Sequence, residues 1–308
     1  MLLGFLLLVI GGEYLVRASV GLSFKLNLSK MVIGLTVVSF ATSFPELLVS
    51  LNAALQGAPA ISINNVIGSN IANIGLVLGI TAICTTIEVD PSFYKFNWPS
   101  LLIFSLLVYA FMQNDQQLTS FEGTILFIAL LVFIVLLIKR SLLTNLETDS
   151  EMDTLSEVSY FKIIIWVAFG GAALYYGADW LVDGAIVLAE QMGVSEAVIS
   201  VSLVALGTSI PELSASIIAV LKKEKALSLG NLIGSNIFNI GSVLGLTAML
   251  DSIPIEDAQI LSRDVLWMLV FAAVILPLIL VKKRHKLQFK EGFFLVLLYA
   301  VFMLLVFK

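Results

Sequence analysis

Apolar residues run along this chain in long blocks separated by short polar stretches. A membrane-spanning helix needs roughly 20 mostly apolar residues, and ten segments reach that class, at about 2–18, 31–55, 62–83, 97–113, 120–140, 160–188, 196–221, 227–250, 263–281 and 291–307. The pattern predicts an all-α polytopic membrane protein of ten transmembrane helices. The first segment is followed directly by further spans and shows no small-residue cleavage site, so it reads as a helix and not as a removed signal. The break in this pattern is chemical. ATSFPELLVS (41–50) places Pro45 and Glu46 inside an otherwise oily helix, and GTSIPELSAS repeats the arrangement from Gly207, with Pro211 and Glu212.

Composition agrees with the pattern. Of 308 residues, 59% are hydrophobic and 13% are charged, against about 25% charged in soluble domains. That balance puts the chain in the membrane class. The net charge of −5 says less than its placement. Sorting lysines and arginines by loop puts 15 of 17 on one side, leaving only Arg263 and Lys308 on the other. The positive-inside rule then places both termini outside. Orientation also accounts for the basic run KKRHK (282–286), and the acidic run ETDSEMDTLSE (147–157) reads as a solvated linker. The lone Cys84 excludes an internal disulfide and has no metal-ligand partner by spacing.

Displacing the chain by 166 residues lays one half over the other. SINNVIGSNIANIGLVLGITA (62–82) matches SLGNLIGSNIFNIGSVLGLTA (228–248) at 15 of 21 positions, and Glu46 falls on Glu212 in the same register. The predicted organisation is a first repeat over 1–140 (helices 1–5), a cytoplasmic linker over 141–159 and a second repeat over 160–308 (helices 6–10). The most similar stretches are about 31–83 and 196–250. An odd number of spans per copy makes the two copies inverted relative to each other. Transporters of that construction bind substrate near the midplane, around interrupted helices.

Proline removes an N–H donor and clashes with the carbonyl four residues back, so helix breaks are expected near Ala41 and Gly207. Thr42, Ser43 and Glu46 lie at i, i+1 and i+4, which gathers hydroxyl and carboxylate oxygens beside the break; Ser69 and Asn73 stand four apart on the next helix. The second copy repeats the set as Thr208, Ser209, Glu212, Ser235 and Asn239. The inventory is oxygen only, and the single histidine, His285, sits in a basic loop. Such donors suit hard cations; Ca²⁺ takes six to eight oxygens at about 2.3–2.6 Å, while zinc, copper and iron are poorly served. Unpaired carboxylates at this depth would each cost about 2.5–3.5 kcal/mol or more, so bound cations are expected to offset them.

Bland roles are assigned beside the chemical ones. Gly68, Gly75, Gly234 and Gly241 read as packing residues that let helices approach in lipid, and Ser69 and Ser235 fit packing and ligation equally. Asn70 and Asn236 point about 100° away from the motif serines and read as interhelical hydrogen-bonders. Asn65 and Asn231, one turn earlier, are candidates for lining an access path. Glu13 reads as the partner of Arg17 one turn later.

SFATSFPE with GSNIANIG, and ALGTSIPE with GSNIFNIG, resemble the two α-repeats of the cation/calcium antiporter superfamily, and most closely those of prokaryotic sodium/calcium exchangers. The likeness covers nearly the whole chain. It implies an antiporter of the prokaryotic cell (inner) membrane that exchanges Na⁺ for Ca²⁺ by alternating access. It implies no catalytic residue, no cofactor beyond the transported ions, no nucleic acid and no obligatory protein partner, with lipid as the surroundings. By motif position the implied calcium ligands are Glu46, Glu212, Thr42 and Thr208. The implied sodium ligands are Ser39, Thr42, Ser43, Glu46, Ser69, Asn73, Ala205, Thr208, Ser209, Glu212, Ser235 and Asn239. Glu46, Glu212, Asn73 and Asn239 would be the metal-coordinating core. Two departures stand out. Asn239 occupies a position where many relatives, including those that co-transport K⁺, carry aspartate, which argues against K⁺ dependence. Ala41 replaces a usual glycine, which stiffens the first break.

Other classes stay open at this point. Proton/calcium exchange, or exchange of another divalent cation, could use the same two glutamates, although protons do not need the doubled hydroxyls. An intramembrane hydrolase built on Ser43 or Ser209 lacks a membrane-embedded histidine or lysine base. A passive channel fits inverted repeats with broken helices less well than a carrier does.

Overall fold

The computed structural model describes residues 1–90, 93–141, 153–191, 207–280 and 285–306. Its helices are α1 (Leu2–Leu26), α2 (Lys30–Leu55), α3 (Ala60–Cys84), α4 (Phe93–Asp115), α5 (Ser120–Ser141), α6 (Tyr160–Gln191), α7 (Ile210–Leu221), α8 (Lys225–Leu250), α9 (Ile260–Leu280) and α10 (Phe289–Val306). Among the described residues nine of these are long and apolar enough to cross a membrane. The shorter apolar α7 falls within the segment predicted at 196–221, whose start lies outside the described residues. The chain is therefore a multi-pass, all-helical integral membrane protein, as its hydropathy predicts.

Helix ends follow local chemistry. α1 runs about two turns beyond its expected end and stops where Asn27 adopts a left-handed conformation (φ 52), which asparagine tolerates better than most residues. Ser29 then caps α2, its hydroxyl accepting from the Val32 N–H at 3.3 Å. Four two-residue strands were not expected. β1 (Ile87–Glu88) pairs antiparallel with β4 (Lys286–Leu287), and β2 (Gln117–Leu118) pairs antiparallel with β3 (Ile253–Pro254).

The chain divides into two compact units that do not follow the halves of the sequence: Met1–Thr42 with Leu137–Asn231, and Ser43–Leu136 with Leu232–Lys308. In the first unit α1 lies along α6 with small residues between them. A Cβ added to Gly11 would stand 2.9 Å from the Gly170 carbonyl oxygen, and one on Gly170 would stand 2.9 Å from that of Gly11. Gly4 and Gly177 form a second such pair. Since 4 falls on 170 and 11 on 177 in the repeat register, each pair is the other with the halves exchanged. A half-buried ion pair joins α2 to the loop after α7: Lys30 Nζ sits 2.8 Å from the Glu224 carboxylate. Glu13 takes Arg17, as expected, and also Lys222 at 3.0 Å.

The second unit shows the same exchange. Gly75 of α3 packs on Phe271 of α9 and Tyr299 of α10, while Gly241 of α8 packs on Phe104 of α4 and Leu130 of α5. Contacts that recur with partners swapped mark a two-fold relation between duplicated elements. Gly68 differs from the packing role expected of it: among the described residues a Cβ there would meet nothing within 4 Å.

Candidate functional site

The first unit holds Ser39, Thr42, Thr208, Ser209 and Glu212. In α2 the backbone passes through a π-helical stretch, Gly34–Val38, immediately before the motif. Such a stretch inserts one extra residue and redirects carbonyls, and π-bulges recur at functional sites. The Ser39 hydroxyl answers the displaced geometry by lying 2.7 Å from the Gly34 carbonyl and 2.9 Å from that of Asn231. Thr42 Oγ1 lies 3.2 Å from Asn231 Oδ1, and Asn231 Nδ2 donates to Ser216 Oγ at 3.3 Å. Asn231 is thereby engaged on both ends of its side chain and ties α8 to α2 and α7. Ser39, Thr42 and Ser209 are buried, while Thr208 is partly exposed.

Glu212 is fully buried (0%) in the first turn of α7, where the helix dipole favours a negative charge. α7 starts at Ile210 after a turn at Thr208 and Ser209, with Pro211 in its first turn. The expected break in the second copy is present there. Ser209 Oγ is buried and makes no hydrogen bond among the described residues. Ala205 lies outside the described residues.

The second unit holds Ser43, Glu46, Ser69, Asn73, Ser235 and Asn239, all buried, with Glu46, Asn73, Ser235 and Asn239 at 0% exposure. Here one expectation is corrected: Pro45 does not break its helix, which continues as α-helix over Ser39–Leu55. Asn65 Nδ2 lies 3.4 Å from the Glu46 carbonyl oxygen and 3.2 Å from Ser50 Oγ, so Asn65 too ties helices together. α3 and α8 each turn π-helical at the motif asparagine, over Asn73–Leu78 and Asn239–Leu244.

Four asparagines join α3 to α8. Asn70 Nδ2 donates to the Asn236 carbonyl at 3.2 Å and Asn236 Nδ2 to the Asn70 carbonyl at 3.1 Å. Asn73 Nδ2 donates to Asn236 Oδ1, and Asn239 Nδ2 to Asn70 Oδ1, both at 3.1 Å. Asn73 Oδ1 and Asn239 Oδ1 are left buried with no hydrogen bond among the described residues. Buried polar atoms are almost always paired, so acceptors left over at equivalent places ask for a ligand. Among the described residues no three His, Cys, Asp or Glu side chains gather into a metal-binding cluster. A cation held by these residues would therefore meet chiefly neutral oxygens, the chemistry of Na⁺ and Ca²⁺ rather than of zinc or iron.

A multi-pass helical chain with swapped contacts between duplicated halves, buried carboxylates and leftover buried amide oxygens defines a membrane protein built to handle cations. The chain belongs to the sodium/calcium exchanger family. The family model described as "Sodium/calcium exchanger protein" matches residues 1–139 and 162–308. The chain is 35% identical to the putative antiporter CaxA of Alkalimonas amylolytica, covering 100% of this chain and 97% of that one. It is 29% identical to the sodium/calcium exchanger MaX1 of Methanosarcina acetivorans, again over 100% and 97%. A solved structure of the sodium-calcium exchanger NCX_Mj, soaked with zero Na⁺ and Ca²⁺, superposes with a TM-score of 0.80 at 32% identity. That match covers 99% of this chain and 97% of the other.

Proposed function

We propose that this protein exchanges Na⁺ for Ca²⁺ across the cell (inner) membrane by alternating access, with both termini outside and the repeats 1–140 and 160–308 inverted across the bilayer. Glu46 and Glu212, with Thr42 and Thr208, take Ca²⁺. Ser39, Ser43, Ser69, Asn73, Ala205, Ser209, Ser235 and Asn239 complete the Na⁺ ligands, which share Thr42, Thr208 and the two glutamates. Exchange needs no catalytic chemistry and no cofactor. The residues 141–159 form a cytoplasmic linker.

The observation that carries this reading is the pair of leftover buried oxygens, Asn73 Oδ1 and Asn239 Oδ1, set at equivalent positions of a duplicated motif that also supplies one fully buried glutamate per copy. Neutral amide oxygens suit Na⁺ coordination, and a proton carrier has no use for them. Two carboxylates balance one Ca²⁺ or two Na⁺. A third Na⁺, held by dipoles alone, would leave the sodium-loaded form one charge more positive, so exchange is electrogenic, with more than two Na⁺ per Ca²⁺. Asparagine at 239 also keeps the ligand oxygen without a titratable charge, which fits transport independent of K⁺.

The test is Ca²⁺ uptake into vesicles reconstituted with the full chain. An outward Na⁺ gradient is expected to drive uptake that responds to an imposed membrane potential and needs no K⁺. Equal uptake driven by a pH gradient without Na⁺, or voltage-independent exchange, would overturn the reading.

A further inference from the structure

We propose that Asn70 and Asn236 are positioning residues that set the polarity of the Asn239 and Asn73 amides, so that each presents its carbonyl oxygen, and not its NH₂, to a transported cation. This inference rests on the reading of Asn73 and Asn239 as ion ligands.

A chain of obligatory pairings fixes each amide. A main-chain carbonyl can only accept. The Asn236 carbonyl stands 3.2 Å from the Asn70 amide, and the Met268 sulfur, also an acceptor, stands 3.8 Å from the same nitrogen. The nitrogen of the Asn70 amide must therefore face them, which turns Asn70 Oδ1 toward Asn239. Against that acceptor Asn239 has to offer a donor, and its Nδ2 sits 3.1 Å away. With the nitrogen committed, the oxygen of Asn239 is the end left over, buried and without a hydrogen bond among the described residues. The mirror sequence starts at the Asn70 carbonyl, which takes Asn236 Nδ2 at 3.1 Å; Asn236 Oδ1 then takes Asn73 Nδ2 at 3.1 Å. Asn73 Oδ1 is again the leftover atom.

Helix gluing alone does not account for this arrangement. The two bonds from Asn70 and Asn236 to backbone already join α3 to α8, and an apolar residue at 73 or 239 would avoid an unpaired buried acceptor, which is unfavourable. Keeping the same acceptor on both sides is economical only if something else fills it. Polarity is decisive for that occupant: a carbonyl oxygen attracts a cation, and an amide flipped by 180° would point its hydrogens at it. The π-helical turn that begins at each of these asparagines sets the backbone that the clasp then orients.

The test is a double-mutant cycle on the reconstituted full chain, reading the Na⁺ and Ca²⁺ concentrations for half-maximal exchange. Asn239→Ala and Asn70→Leu are each expected to raise the Na⁺ value about tenfold, the effect of losing one buried polar interaction. In the Asn239→Ala background, Asn70→Leu should add less than about twofold, because nothing remains to orient. Asn70→Leu alone within about twofold of wild type, or a full tenfold added on top of Asn239→Ala, overturns the positioning role. Asn239→Ala without a shift in either ion overturns the ligand reading itself, a different failure. If Asn70→Leu does not insert, Asn236→Leu with Asn73→Ala runs the mirror cycle with the same expected and contrary outcomes.

Discussion

The two copies of the proline-glutamate motif share Thr-Ser, Pro-Glu and the leucine that follows, yet their backbones differ. Around Glu46, α2 runs unbroken through Pro45, with its irregular stretch ending about two turns earlier, at Gly34–Val38. Around Glu212, the helix begins only at Ile210, after a turn at Thr208 and Ser209, and Pro211 occupies the first turn, where its missing N–H is no loss. The two copies carry alanine and glycine respectively ahead of Thr-Ser: Ala41 in the first, Gly207 in the second. Glycine inside a helix is about 1 kcal/mol less favourable than alanine, so one residue tips the balance between a proline carried within a helix and a proline that starts one. Packing adds to the effect. Gly171 of α6 leaves open backbone beside the Ala41 carbonyl, where an added Cβ would stand 3.7 Å away, so α2 can keep the carbonyl whose helical donor Pro45 removes. A duplicated motif has thus become a stiff copy and a broken copy.

The largest effect tests whether the two copies are nonetheless chemically equivalent. Glu46→Gln and Glu212→Gln each remove a charge from a fully buried position. Each is expected to lower Na⁺-driven Ca²⁺ uptake by about a hundredfold or more, the scale of leaving a buried cation without one carboxylate ligand. Protein yield and size-exclusion profile should be unchanged. A variant of either glutamate that transports like the wild type would make the copies unequal in function as well as in form, and would remove that residue from the ligand set.

A smaller effect tests the source of the asymmetry. Gly207→Ala should favour continuation of helix by about 1 kcal/mol, and slow exchange about fivefold if the break must flex during transport. The new methyl also meets the Val182 side chain at 2.9 Å, a flexible neighbour that can yield. Ala41→Gly should change the rate by less, since α2 already accommodates Pro45. Exchange rates measured at saturating Na⁺ check both; an unaltered rate in Gly207→Ala would show that the turn at Thr208 and Ser209 does not depend on its glycine.

The asymmetry also marks how far sequence reading reaches. The ten segments were legible because hydropathy is summed over some twenty residues and no tertiary contact can reverse it. The candidate residues could be named because the repeat pairs each of them with a second. What escaped was decided by single contacts. The break expected at Pro45 is absent because neighbouring helices in membranes can satisfy the groups a proline frees. The π-helical turns at Asn73 and Asn239 carry no residue signature, since any sequence can shift from i+4 to i+5 bonding when its surroundings favour it. The spacing of Asn65 and Asn231 shows a shared face but not its hydrogen-bond partners, which include Ser50 and Ser216. The two-residue strand pairs join stretches more than a hundred residues apart, which no local pattern encodes.

The smallest effect sharpens the comparison inside α3, where two glycines of one motif were assigned the same packing role. They should part on mutation. Gly75→Ala places a Cβ 2.8 Å from the Phe271 ring and 2.9 Å from Tyr299 Cβ, closer than side-chain carbons approach, so α3, α9 or α10 must shift. Overpacking of that kind costs about 1–3 kcal/mol, which should lower the thermal midpoint of the detergent-solubilised protein. Gly68→Ala adds a methyl that meets nothing within 4 Å among the described residues and gains about 1 kcal/mol of helix propensity, so its midpoint should hold or rise slightly. The mirror variant Gly241→Ala, whose Cβ would stand 2.7 Å from Leu130 Cβ, should behave like Gly75→Ala. If Gly241→Ala instead behaves like Gly68→Ala, the swapped contacts of the two halves are not energetically equivalent, and the asymmetry seen at the prolines extends into the helices that carry the clasp.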